Sequence, residues 1–117
     1  IQFDSTENDT MSLSLMGTQL FEQDSEFFNK TKGLILEHGF TEWRHHPYTD
    51  TMVLKERFNF ACLNFAAGYY NYHTDNEYVI VEDVLNSTLL GESVIKELGN
   101  EFYEFKVPKK GSFGWFD

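Results

Sequence analysis

The stretch Phe58-Asn59-Phe60-Ala61-Cys62-Leu63-Asn64-Phe65-Ala66-Ala67 constrains this chain more than any other. It is a nearly continuous apolar run of strand length, closed by Gly68, with Asn59 and Asn64 as its strongly polar members. A run without alternation suits a strand buried on both faces of a sheet. Burying such a strand takes layers of structure above and below it. The whole chain has 117 residues, the size of one small domain or of a piece of a larger one.

The other segments supply candidate layers. Ile1 to Phe3 reads as strand, followed by a polar turn cluster from Ser5 to Asp9. Thr10 to Met16 alternates Met11, Leu13 and Leu15 with Ser12 and Ser14, the period of a half-buried strand. Asp24 and Ser25 offer N-cap oxygens to a helix carrying Phe27, Phe28, Thr31, Leu34, Ile35 and His38 at three-and-four spacing, with Gly39 as its stop. Phe40 to Arg44 predicts a short strand and His45 to Thr51 a polar loop, while Met52 to Arg57 fits either a helical turn or a loop. Val81 to Leu98 predicts a second long helix. Val84, Leu85, Thr88, Leu89, Val94, Ile95 and Leu98 form its apolar stripe, and Glu82 and Asp83 suit its positive end. The order strand, strand, helix, strand, strand, helix predicts an α/β fold with a mixed sheet. Two helices cannot cover both faces of such a sheet. Either the fold is half-covered, or its missing layer lies on sequence preceding Ile1.

Charge narrows the function classes. Nineteen acidic against 9 basic residues leave a formal net charge of −10. That argues against a phosphate-neutralising nucleic-acid face and against docking on an anionic membrane. No apolar run approaches the roughly 18 residues of a spanning helix. The single cysteine, Cys62, excludes an internal disulfide and a multi-cysteine zinc site. It sits in the apolar run, as a core filler rather than a nucleophile. A cytoplasmic location fits. Ile1 opens directly into strand with no signal peptide, so the chain is expected to begin mid-structure.

The loop from Gly68 to Glu77 directly follows the buried run, at the strand edge where α/β sheets place their sites. Within it, His73 could ligate a divalent metal, with Thr74 or Glu77 orienting it. The plainer reading packs His73 among Tyr69, Tyr70 and Tyr72 as a hydrogen-bonded surface residue, and the residue pattern alone favours that. Asp4, just past a strand end, is either a ligand or a turn residue. Asp50, in Tyr48-Thr49-Asp50-Thr51, either contacts substrate or bonds its own turn. The adjacent His45 and His46 make no metal clamp and are expected in solvent. No glycine-rich phosphate loop, His-Glu-x-x-His helix or Gly-x-Ser-x-Gly elbow occurs in the sequence.

Taken together, Phe3-Asp4, Tyr48-Thr49-Asp50-Thr51 and the stretch from Cys62 through Gly68-Tyr69-Tyr70-Asn71-Tyr72-His73-Thr74-Asp75-Asn76-Glu77-Tyr78-Val79 resemble the C-terminal part of a zinc-dependent aminopeptidase domain. The family is that of the M28-type peptidases with their M20-type relatives, and the look is closest to phage and bacterial members. The resemblance covers residues 1 to about 105, leaving 106–117 as an aromatic tail.

It implies an α/β/α sandwich and a cocatalytic site holding two zinc ions. His73 falls on the last metal ligand in chain order and Asp4 on the fourth. Thr49 and Asp50 fall on the substrate side, and Thr74 and Glu77 lie behind the histidine. Family members often carry two arginines after that aspartate, where this chain has Ser5-Thr6. The resemblance places the remaining ligands and the general-base glutamate before Ile1, so no catalytic residue is expected in this chain. Complete, such a site would carry out metal-assisted hydrolysis of a peptide or amide. An upstream segment or companion chain is therefore expected as partner, a homo-oligomer is compatible, and the chain alone is not expected to be active. The competing expectation is a non-catalytic binding or structural module. Its acidic surface and its aromatic residues, from Phe102 to Phe105 and from Phe113 to Phe116, would then serve a partner, although packing on their own domain is the simpler role for those aromatics.

Overall fold

The computed structural model describes residues 1–46 and 49–106. Pro47, Tyr48 and the tail aromatics Phe113 to Phe116 lie outside them. The elements run β1 (Gln2–Ser5), β2 (Thr10–Leu15), β3 (Thr18–Gln19), α1 (Glu26–Glu37), β4 (Glu42–His46), α2 (Asp50–Phe58), β5 (Asn64–Ala66), β6 (Tyr69–Tyr70), β7 (Tyr78–Val79) and α3 (Val81–Leu98). Five strands form one mixed sheet in the order β1-β5-β2-β3, with β4 paired to β2. β1 runs parallel to β5, and β4 parallel to β2, while β2 is antiparallel to β5 and β3. β6 and β7 form a separate two-stranded ribbon. The fold is thus α/β with a mixed sheet and three helices among the described residues.

Both long helices form where caps and periodicity place them. The Ser25 side chain accepts the Phe28 amide at 3.2 Å and opens α1, and Gly39 follows α1 with φ +84°. Gly99 closes α3. Residues 52–57 resolve as helix, because α2 already begins at Asp50 and extends to Phe58.

The apolar run departs from expectation. Only Asn64–Ala66 is strand. Phe58 ends α2, Asn59 takes a left-handed conformation, and Phe60 makes an isolated bridge to Glu104. The amide of Ala61 bonds the Tyr103 carbonyl, and that of Cys62 bonds the Leu20 carbonyl. Burial begins only at Cys62, with Phe58 left exposed, and the backbone partners of Ala61 and Cys62 lie in coil, so no ladder forms there.

Side chains alternate across a strand. Phe3, Phe65, Met11 and Trp43 stand in register across β1, β5, β2 and β4 and share one face. Both long helices cover that face. The Phe28 ring of α1 meets Trp43 edge-on at 5.3 Å, and Phe3 lies against Gly91 of α3.

The stripe expected to bury α3 is only partly used. Leu85 is 57% exposed and Ile95 61%, while Ser87, Leu90, Gly91 and Val94 are buried. Small size and polar fit decide the orientation. A Cβ on Gly91 would lie 3.0 Å from the Phe3 ring, and the Ser87 hydroxyl donates to the Ala66 carbonyl at 2.9 Å.

The opposite face is polar yet largely covered. Ser12, Ser14, Thr10 and Asn64 are buried there. The first turn of α2 reaches it, where the Thr49 and Thr51 hydroxyls both donate to the Gln2 side-chain carbonyl.

Candidate functional site

A cleft of about 250 Å³ opens beyond the C-terminal ends of β1 and β5 and is walled by Asp4, Ser5, Thr6, His46, Thr49, Tyr69, Tyr72 and His73. Three sequence-predicted residues, Asp4, Thr49 and His73, line this one depression.

A bulge aims Asp4. In the β1–β5 pairing Phe3 faces Phe65 and Ser5 faces Ala66, which leaves Asp4 as the extra residue. Such an insertion bends a strand and redirects a side chain. The Asp4 amide is held by the Asn64 side-chain carbonyl at 3.1 Å, and its carboxylate side is exposed. Asn64, a polar interruption in the apolar run, is therefore the support of the Asp4 backbone.

The β6–β7 ribbon carries His73. Tyr70 and Tyr78 stack across it at 5.1 Å, and the Tyr70 hydroxyl donates to Asp83 at 2.5 Å, tying the ribbon to the first turn of α3. Burial and that hydrogen bond push the Tyr70 phenol up to about 12. At the ribbon tip Asn71 and His73 are both left-handed, with φ +54° and +60°. A non-glycine residue held there costs about 1–2 kcal/mol and tends to mark a functional turn.

Glu77 accepts the His73 backbone amide at 2.8 Å, and Thr74 donates to the Asn71 carbonyl at 2.5 Å. Both groups therefore shape the loop backbone, where an orienting contact to the imidazole was expected. The His73 ring lies exposed, edge-on to Tyr72 at 4.8 Å. Tyr69 shares the cleft wall with the two predicted ligands. Burial first, and then the charges of Asp4, Tyr72 and Glu77, raise its phenol above the ordinary range.

Asp50 is not part of this cleft. It lines a separate groove of about 490 Å³ with Ile1, Leu54, Ile95 and Phe102. α2 starts between Thr49 and Asp50, so the two side chains diverge. This larger groove is mostly apolar and holds no imidazole, so the smaller cleft is the better candidate for chemistry.

His46 overturns its expected place in solvent. β4 runs two residues farther than its sequence pattern suggested, through His45 and His46. The His46 ring is half-buried, with Nδ1 2.6 Å from the Ser12 hydroxyl and Nε2 3.3 Å from that of Ser5. Burial, reinforced by Arg44 and His45, holds its imidazole below the ordinary value. The available signal was the serine side of β2: once β4 pairs with β2, Ser12 and Ser14 face the two histidines.

The cleft offers one carboxylate and two imidazoles. Among the described residues, however, no three His, Cys, Asp or Glu side chains gather closely enough to hold a metal ion. Asp4 and His73 thus do not by themselves make a zinc site. Comparisons with protein-family models, with curated proteins and with solved structures find no match. No helix among the described residues is long and apolar enough to cross a membrane.

Proposed function

We propose that this chain is the C-terminal part of a metal-dependent amide hydrolase of the zinc aminopeptidase type, and that it contributes one edge of the site. The reading is carried by one observation: Asp4, near the start of the chain, and His73, well past its middle, wall the same cleft. Carboxylate oxygen and imidazole nitrogen are the donor types zinc takes alongside thiolate. The Gly68-Tyr69-Tyr70-Asn71-Tyr72-His73-Thr74 stretch supports it through its resemblance to that family. On this reading the mixed sheet is a portion of an α/β/α sandwich, and further sequence supplies the rest of its cover, the remaining ligands and the general base. Two donors leave a zinc site incomplete, so no chemical step is assigned to this chain alone. Burial pushes the lone Cys62 thiol up to about 11, leaving it inert and structural, so it takes no part in such a site.

The test is zinc analysis and aminoacyl-amide hydrolysis by the complete encoded polypeptide that contains these residues. About two zinc ions per chain are expected, with zinc and activity both lost in Asp4→Asn and His73→Gln. A complete protein that binds no zinc, or variants that keep it, would overturn the proposal. That outcome would favour a non-catalytic binding module, for which the exposed apolar side chains Val81, Leu85, Leu89 and Ile95 along α3 offer a surface.

A further inference from the structure

The polar face beneath the cleft carries a continuous file of hydrogen bonds, and its ends set the direction of every proton within it. At one end the Thr10 hydroxyl donates to the Thr6 carbonyl at 3.0 Å, an acceptor that cannot reciprocate. The Thr10 proton is thereby committed, so in the 3.3 Å contact between Ser5 and Thr10 it is Ser5 that donates. The Ser5 proton is then committed as well, and the 3.3 Å contact between Ser5 and His46 Nε2 requires the ring to donate. At the other end the Asp4 amide donates to Asn64 Oδ1, which fixes the orientation of that side-chain amide. Asn64 Nδ2 then donates to the Ser12 hydroxyl at 2.9 Å, and the Ser12 proton goes to His46 Nδ1 at 2.6 Å. Both ends give the same answer: His46 is a neutral ring with its proton on Nε2. A proton on Nδ1 would leave the Ser12 hydroxyl hydrogen without an acceptor among the described residues, in a site that is almost fully buried.

The two edges of the ring face different surroundings. Ser12, the partner of Nδ1, is not part of the cleft wall, whereas Ser5, the partner of Nε2, is. The bond at Nε2 is also the long one, at 3.3 Å against 2.6 Å, near the outer limit for a hydrogen bond. The donor on the cleft side is therefore only weakly engaged, while the other edge is firmly anchored. The depressed basicity of the ring agrees with this arrangement.

We propose that His46 is a ligand-binding residue of the cleft, its Nε2–H donating a hydrogen bond to a carbonyl or carboxylate oxygen of an amino-acid-sized amide or acid. Volume supports the size class, since about 250 Å³ falls below the roughly 300–1,000 Å³ of sites for drug-sized molecules. The chemistry also suits the surroundings. A neutral donor complements an oxygen acceptor without adding a positive charge that would compete with a cation near Asp4. The Tyr69 and Tyr72 rings supply apolar wall beside it. This inference rests on the proposed function only for the kind of ligand; the tautomer and its exposure to the cleft follow from the file of hydrogen bonds.

The experiment is nitrogen-detected NMR of the histidine rings in the full 117-residue chain without metal, titrated with leucinamide in one arm and leucine in the other. The expected result is a His46 ring protonated on Nε2, whose Nε2 signal moves saturably with one or both probes. Movement with both points to the shared carbonyl oxygen, and movement with leucine alone to the carboxylate. His46→Gln keeps a donor near the Nε2 position and is expected to bind within a few-fold of the native chain. His46→Phe keeps the ring and loses the donor, and is expected to bind about 3- to 10-fold more weakly. A ring protonated on Nδ1, a His46 signal that stays put through both titrations, or equal binding by His46→Phe would overturn the proposal. Zinc plays no part in these readouts, so failure here and failure of the metal-site reading are separate results.

Discussion

Substituting Gly68 by alanine tests how the fold seats the loop that carries His73. Gly68 has φ +87°, and a Cβ built on it lies 2.8 Å from the Val84 amide nitrogen and 2.9 Å from the Asp83 Cβ. Two costs follow. A residue with a Cβ in the left-handed region loses about 1–2 kcal/mol. Forcing a methyl against a packed backbone adds about 1–3 kcal/mol. Relief would require the first turn of α3 to move, which disturbs the Ile80 amide bond to the Gly68 carbonyl and the Tyr70–Asp83 pair that anchors the ribbon. The expected loss is therefore about 2–5 kcal/mol, a large share of the roughly 5–15 kcal/mol that holds a domain together. Gly39 is the control, because its φ is +84° but a Cβ there meets nothing within 4 Å. Gly39→Ala thus carries the conformational cost alone. Equilibrium denaturation of both variants, with the denaturant slope compared to that of the native chain, reads the difference directly. Gly68→Ala is expected to lose at least about 1 kcal/mol more, or roughly 4 °C or more in melting temperature. Equal losses in the two variants would refute the close approach of α3 to this turn.

Two further outcomes follow from titratable groups that folding draws out of water. Lys55 is fully buried, with its ammonium on the Phe105 carbonyl and 4.6 Å from the centre of the Phe105 ring, and burial lowers its basicity. Lys55→Met keeps the volume and removes the buried charge, so it is expected to be neutral or stabilising in denaturation, whereas Lys55→Ala loses about 2–5 kcal/mol by analogy with other long buried side chains. Between the lowered folded value and the ordinary 10.5, the unfolded chain binds more protons at this position. Stability therefore rises with pH across that window, and the slope disappears in Lys55→Met. His46 is also depressed from 6.5, so the unfolded chain takes up its proton first as the medium is acidified. Stability is lost as pH falls below 6.5 toward the folded value. Denaturation at a series of pH values is expected to show a shallower acid decline in His46→Gln, and an unchanged decline would contradict the half-buried, neutral ring.

The sequence by itself determined both long helices and the α/β class. Their signals are local: Ser25 caps α1 within one turn, Gly39 and Gly99 stop the helices, and β2 alternates every second residue. It also marked Asp4 and His73 as candidates by residue type and place. What it left open depended on partners distant in the chain. Phe58 to Leu63 are apolar enough for a strand, but Asn59, Ala61 and Cys62 take their backbone bonds with Phe105, Tyr103 and Leu20, a choice made by packing. α3 carries apolar side chains around much of its circumference, and Gly91 and Ser87 settled its buried face because only small or hydrogen-bonding groups fit against Phe3 and the Ala66 carbonyl. His46 could gain its role only once β4 lay beside β2, since Ser12 and Ser5 are far from it in sequence and become its partners through the sheet. Propensity and capping act over a few residues and are written in order along the chain. Burial and hydrogen-bond partnership are settled between segments, and in this protein they decided which polar groups meet in the cleft.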